Sequence, residues 1–218
     1  VENGKVIRSI YSNVDPARPM IALTYDDGPY SPVTSRILDA LEAVGGRATF
    51  FNVGNRIGSY QDVAKRAVQI GCSISNHTWD HTSLTSLGSS SIVSEINGCD
   101  NAIKNYTGET SLLVRPVGGA VNATVKASVD APLILWSVDT LDWKNRNASS
   151  VYSKVIGHVQ DGDIVLMHDI YKTSAAAAER VIPELVKRGY QLVTVEELME
   201  ARGVTMVAGK TYSQAYKK

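Results

Sequence analysis

Two adjacent carboxylates, Asp26 and Asp27, close an apolar run from Met20 to Tyr25 and lead into Gly28-Pro29. Like charges side by side repel, and Asp is a poor strand residue, so the pair calls for a positive partner. Two imidazoles, His77 and His81, stand four residues apart in the stretch HTWDH. On one helical turn this spacing turns both rings the same way, towards one ion. Two His and one Asp would hold a divalent ion with open positions for water and substrate. Zinc suits this donor set, which is also the facial triad of non-haem iron oxygenases. The aspartates can then divide the work: one binds the ion, and the other takes a proton from a water whose pKa the ion lowers to roughly 7. The dication between them offsets their repulsion.

Such groups need a scaffold. Strand-like runs occur at residues 21–25, 48–53, 73–76, 112–115, 133–138, 163–167 and 191–195. Amphipathic helical spacing fills 33–44, 61–70, 91–106 and 174–188, with Gly45-Gly46, Gly108 and Gly189 where helices should stop. Alternating strands and helices imply a parallel sheet covered by helices. Seven strands fall short of a regular eight-stranded barrel, which needs about 250 residues. The expectation is therefore an α/β fold, a distorted and shortened (β/α) barrel with about seven parallel strands.

In parallel architectures, reactive groups collect at the carboxyl ends of the strands. Those ends here are Asp26-Asp27, Asn76-His77 with His81, Arg115, Asp139 with Asp142, and His168-Asp169. Three of the four histidines lie on this rim. Loop polarity alone would favour Ser, Gly and Lys over His, Asp and Arg. The fourth histidine, His158, falls in a helical stretch and receives no role.

The whole chain reads as a single domain over residues 1–218, with a core from about 19 to 204 and a polar extension at 205–218. Its 218 residues carry 22 basic and 22 acidic side chains, a balance that gives no support to a nucleic-acid partner. No stretch is apolar and long enough to insert in a membrane. A chain that begins at Val1 reads as a processed or trimmed piece, and a monomer is the default. Cys72 and Cys99 suit either one disulfide or two buried thiols.

Five motifs, in order, resemble those of the polysaccharide deacetylases with a NodB homology domain (carbohydrate esterase family four): TYDDGP at 24–29, HTWDH at 77–81, RPVGG at 115–119, DTLDW at 139–143 and LMH at 166–168. The resemblance spans about residues 19 to 204. It implies Asp26 as general base and Asp27, His77 and His81 as ligands of one divalent ion, Zn2+ first, with Co2+ or another ion as alternatives. It implies His168 as general acid, Arg115 holding Asp26, and Asp142 holding His168. Leu166 would line the acetyl pocket, Trp143 a groove wall, and the Gly118 N–H would face the oxyanion. The shortened barrel agrees with the strand count.

The implied activity is removal of acetyl groups from an acetylated polysaccharide, N-acetyl groups of peptidoglycan or chitin-like polymers first. O-acetyl xylan is the alternative substrate, and a weakly catalytic cell-wall-binding domain the alternative class. Acetylated wall polymers lie outside the membrane, so a secreted or cell-surface location follows. The chain departs from the family at three places. Tyr25 stands where Phe is usual, Val117-Gly118 replace Pro-Tyr in motif three, and GCSISN at 71–76 replaces the common Gly-His-Glu-Ile-Gly-Asn. Cys72, Ser73 and Ser75 read as packing changes. Asp80 and Asp169 read as solvated or supporting groups, and Arg47 as a partner of Asp142 or a surface cation.

Overall fold

The computed structural model describes residues 13–217. Residues 1–12 and 218, which the sequence reading includes in its single domain, lie outside the described residues. Strand β1 (Met20–Asp26) sits mid-sheet and is buried along its whole length, as a continuous apolar run on a two-faced parallel sheet should be. Ile21, Leu23 and Tyr25 face the helices, while Met20 and Ala22 join an inner cluster with Phe51 and Ile164. By strand alternation, Thr24 and Asp26 share that inner face.

Helix α1 (Ser31–Glu42) starts on a proline in its first turn, where the missing N–H costs nothing. It leads to β2 (Thr49–Asn52), the short helix α2 (Gly54–Ile57), α3 (Gln61–Gln69) and β3 (Ser73–Asn76). Then follow α4 (Ser89–Thr107), α5 (Ala123–Ser128), β4 (Leu133–Ile134), β5 (Val138–Asp139), α6 (Asp142–Asn145) and α7 (Ala148–His158). The chain continues through β6 (Ile164–His168), α8 (Lys172–Lys187), β7 (Gln191–Leu192), α9 (Val195–Ala201) and β8 (Thr211–Tyr212). The main sheet runs β3-β2-β1-β6-β5, with β7 added to the start of β1, and every ladder is parallel.

Parallel α/β architecture is thus as expected, with two expected strands broken. Of residues 112–115 only Val114 bridges, to Asn76 and Leu133, and 133–138 splits into β4 and β5. Arg115 accounts for the second break. Its Nε donates to the Ile134 carbonyl at 3.1 Å and its Nη2 to the Leu135 carbonyl at 3.0 Å, so a buried side chain takes acceptors that a ladder would use. The sheet curls, with its irregular seam at 135–137.

Three further points differ from the sequence reading. Residues 191–195 end as a strand at Leu192 because Thr194 caps α9 in a capping box with Glu197. Within the expected polar extension, β8 pairs in parallel with β4, and Met206 and Ala215 are buried in the inner cluster. Arg47 pairs with Glu197 at 2.9 Å rather than with Asp142.

Both cysteines are free, buried thiols, and burial pushes Cys72 up to about 12. Ser73 donates to Glu196 Oε1 at 2.6 Å and lies 3.2 Å from Ser75 Oγ. The unusual serines of GCSISN thus accommodate a carboxylate arriving from α9. Among the described residues, no helix is long and apolar enough to cross a membrane.

Candidate active site

Sheet register sets the first pair. Asp26 is directly opposite His168 across the β1–β6 ladder, so base and acid candidates leave neighbouring strand ends side by side. Asp26 is buried, with its Oδ1 accepting from Arg115 Nη1 at 2.8 Å. The same Nη1 donates to Thr24 Oγ1 at 2.6 Å, and the guanidinium lies 4.1 Å from the Phe51 ring centroid. Burial lowers the Arg115 pKa against the pull of Asp26, but an arginine keeps its charge even so. A fully buried cation with four acceptors fixes Asp26 in position. Thr24, missed in the sequence, belongs to this clamp.

His168 is held as firmly. Its Nδ1 lies 2.8 Å from Asp142 Oδ1, and its backbone N–H donates to Asp142 Oδ2 at 2.8 Å. Asp142 also accepts from Trp143 N at 2.9 Å and from Ser174 Oγ at 2.5 Å. Burial works against the imidazolium, but the Asp142 hydrogen bond and the negative charges of Asp142, Asp26 and Asp27 outweigh it and raise His168 to about 9. Ser174, at the start of α8, gave no sequence signal beyond an ordinary helix-start residue.

Asp27 would face away from Asp26 if β1 simply continued, because strand neighbours alternate. Instead its φ is 73°. This left-handed turn brings its Oδ1 to 3.4 Å from His77 Nε2 and 3.0 Å from His81 Nε2. The turn also explains Gly28: a Cβ there would lie 2.2 Å from the Asp169 carboxylate oxygens. Asp169 is buried, accepts from Thr34 Oγ1 at 2.5 Å, and is raised to about 7, first by burial. It braces the turn from behind and does not join the donor cluster.

The imidazoles do not share a helical turn. Residues 77–81 form a loop with φ of 69° at both Thr78 and His81, so the expected helix is replaced by a strained bend. Polar pins hold it. Asn76 Nδ2 donates to Asp100 Oδ1 at 2.7 Å and its Oδ1 accepts from Thr78 N at 2.8 Å. Glu95 Oε2 accepts from Trp79 N and Asp80 N at 3.0 and 3.2 Å. Thr78 Oγ1 accepts from His81 N at 3.0 Å. Asp80 is exposed and accepts from Thr82 N.

One donor atom from each of Asp27, His77 and His81 falls within 4.8 Å of the others. Ligands at 2.0–2.2 Å from a tetrahedral ion stand roughly 3.5 Å apart, which this cluster matches. The tautomer fits too. His77 Nδ1 lies 2.7 Å from the Arg115 carbonyl, which can only accept, so Nδ1 carries the hydrogen and Nε2 offers its lone pair. Burial opposes charge on Asp27, yet its contacts with His77 and His81 hold its carboxyl well below the ordinary range. His81 is raised in return, chiefly by its Asp27 hydrogen bond. These residues therefore fit a divalent cation. A cleft lined by Asp27, Val53, Asn55, Arg56, Asp80, His81 and Ile170 opens beside them.

The remaining expected residues lie around this centre. Leu166 is buried on β6, opposite Thr24 and on the same strand face as His168. Trp143 is 45% exposed, next to Asp142. Gly118 lies in a tight turn at 117–119 with φ of 62°, a backbone that a Tyr in its place would strain.

Fold and donor set thus describe a parallel α/β protein with an Asp-His-His cluster beside its strand ends that could hold a metal ion. A sequence model described as polysaccharide deacetylase matches residues 13–132. The chain is 40% identical over 189 residues to the peptidoglycan-N-acetylmuramic acid deacetylase PdaC of Bacillus subtilis, covering 87% of this chain and 40% of that protein. It is 41% identical over 192 residues to the peptidoglycan-N-acetylglucosamine deacetylase PgdA of Listeria monocytogenes, covering 88% and 41%. The solved PdaC structure superposes with a TM-score of 0.85 at 40% identity, over 87% of this chain and 94% of that one. A family 4 acetyl xylan esterase from Clostridium thermocellum, solved with a cobalt ion, gives 0.85 at 31% identity over 89% and 98%. The chain belongs to the polysaccharide deacetylase family, and it spans about two fifths of the length of the two curated relatives.

Proposed function

We propose that this chain is a metal-dependent hydrolase that removes acetyl groups from polysaccharides, with the N-acetyl groups of amino-sugar polymers as its substrate. The observation that carries this reading is the placement of Asp26 opposite His168, with a separate three-donor cluster beside them. Asp27, His77 and His81 would hold the ion, for which zinc suits the donors. When bound, it supplies a Lewis acid for the substrate carbonyl and a more acidic water.

Every proton step then falls to the chain itself. Asp26, kept in place by Arg115, takes a proton from the attacking water. His168 delivers a proton to the leaving atom. With its pKa raised to about 9, it is charged at neutral pH and able to protonate an amine, the worse leaving group of the two that acetyl chemistry offers. This favours amide over ester. Asp142 keeps the imidazole oriented, its Nδ1 committed and its Nε2 towards the substrate. Leu166 would close the methyl pocket, the Gly118 N–H would face the developing oxyanion, and Trp143 would wall the sugar groove.

A mere binding module would gain nothing from holding Asp26, Asp27, His77, His81 and His168 together, and an oxygenase would need neither Asp26 nor His168. The relatives named for peptidoglycan support a wall polymer as substrate, hence a secreted or cell-surface site of action for a monomeric chain, and zero net charge favours no nucleic-acid partner. Acetate release from N-acetylglucosamine oligomers and from acetylated xylan, assayed in parallel, tests the proposal. Release from the oligomers supports it. Release from xylan alone would replace the amide reading with the ester one.

A further inference from the structure

The rim beside His168 carries a feature that the acetyl chemistry does not use. Helix α6 is a single turn bracketed by two non-glycine residues in left-handed conformation, Leu141 with φ of 56° and Arg146 with φ of 46°. Such backbone costs free energy and persists where surrounding contacts enforce it. What it achieves here is the placement of Arg146. Its guanidinium lies on the Tyr171 ring, 3.2 Å from the centroid, and its Nε donates to the Trp143 carbonyl at 2.7 Å. Tyr171 in turn stands 5.9 Å, ring to ring, from His168.

Arg146 is exposed, and its contacts are the π face and hydroxyl of Tyr171 and a carbonyl, none of which carries a full negative charge. With one N–H on the Trp143 carbonyl and another towards the Tyr171 hydroxyl, other guanidinium N–H groups remain for an outside acceptor, and an arginine on an aromatic platform suits a carboxylate. The neighbouring sequence has one sign, while the charges of Asp27 and Asp142 reach Tyr171 from the side of the site. Residues 143–147 and 170–174 contain Lys144, Arg146 and Lys172, and no acid. Both lysines are exposed. Asp142, the nearest acid in sequence, is buried and fully engaged behind His168.

Resting on the hydrolase reading above, we propose that Arg146 on Tyr171, flanked by Lys144 and Lys172, receives a carboxylate borne by the glycan next to the reacting acetyl group. The chain thereby prefers acidic amino-sugar strands to neutral ones. The carboxylate can belong to an ether-linked acid on the sugar or to an attached peptide, and the chemistry of recognition is the same.

The test compares kcat/KM of the metal-loaded wild type and Arg146→Gln on neutral N-acetylglucosamine oligomers, on peptidoglycan glycan strands freed of peptide, and on strands still bearing peptide. The expected result is a loss of about tenfold on a carboxylated strand, and less than about twofold on the neutral oligomer. A loss confined to the peptide-free strand assigns the carboxylate to the sugar, and one confined to the peptide-bearing strand assigns it to the peptide. Equal losses on all three would reduce Arg146 to a clamp on Tyr171 and overturn the proposal, as would no loss on either acidic strand.

A second readout does not depend on turnover or on the folding of that variant. Binding to Asp26→Asn protein, followed by tryptophan fluorescence, should favour the acidic strand, and the preference should fade between about 0.05 and 0.5 M salt as screening grows. A preference in binding, with no acetate released from any strand by the metal-loaded wild type, would sink the hydrolase reading and leave this one standing. Acetate release with no preference in binding would do the reverse.

Discussion

The two halves of the site are held in different ways. Asp26 and His168 leave the carboxyl ends of two paired parallel strands opposite each other, and each is backed by one buried, oppositely charged partner. Asp27, His77 and His81 lie on turns whose backbone is left-handed at Asp27, Thr78 and His81, and His81 is 45% exposed. Sheet register fixes the first pair, to which we assign proton transfer, while side-chain hydrogen bonds from Asn76, Glu95 and Thr78 shape the cluster to which we assign the ion.

If the halves are separable, variants should split cleanly between them. The largest effect belongs to His77→Ala, which removes a buried ligand. Metal affinity, measured by competition with a chelator, should fall by more than about a hundredfold, beyond the 10–100-fold typical of supporting partners. Asp26→Asn should leave that affinity within a few-fold.

Asp142→Asn acts on the other half. It should cost about a hundredfold in kcat and move the alkaline limb of activity down from about 9 towards 6.5, the ordinary histidine value. The sign follows from protonation. The folded chain raises His168, so the acid is charged below about 9, and removing the Asp142 charge releases its proton at lower pH. The same linkage makes the stability contributed by this pair full below about 6.5 and lost as pH rises through about 9. Metal content should stay unchanged. A limb that does not move would deny His168 the acid role.

Glu95→Ala unpins the ligand loop without touching a ligand, and should weaken metal binding by about tenfold while leaving the pH profile in place. An effect on the profile instead would mean that the halves are coupled. The smallest effect expected is for Tyr25→Phe. The Tyr25 hydroxyl is buried without a hydrogen-bond partner among the described residues, so its removal should leave stability unchanged or raise it by up to about 1 kcal/mol, read as a denaturation midpoint.

The same contrast decides how much the sequence showed. Strand runs at 21–25 and 73–76 and helices such as 174–188 were legible because apolar spacing reports burial directly. The strand-end residues were legible because parallel sheets expose their carboxyl ends. Geometry that depends on single tertiary contacts was not. The break in 133–138 comes from the Arg115 guanidinium taking the carbonyls of Ile134 and Leu135. The His77–His81 spacing suggested a helical turn, whereas backbone pins from Asn76 and Glu95 make a loop that gathers the same donors. Strand β8 is two residues long, too short to leave a pattern. The T-x-x-E of Thr194 and Glu197 was an available signal for the start of α9. Nothing local marks Arg146 for a seat on Tyr171.

The most direct test of the central claim is acetate release from N-acetylglucosamine oligomers by wild type and Asp26→Asn, each stripped with a chelator and then reloaded with zinc. The account predicts that stripping abolishes wild-type release, that reloading restores it, and that Asp26→Asn takes up one ion per chain yet releases acetate at least about a hundredfold more slowly. Release that survives stripping, or an Asp26→Asn chain as active as wild type when loaded, would contradict it.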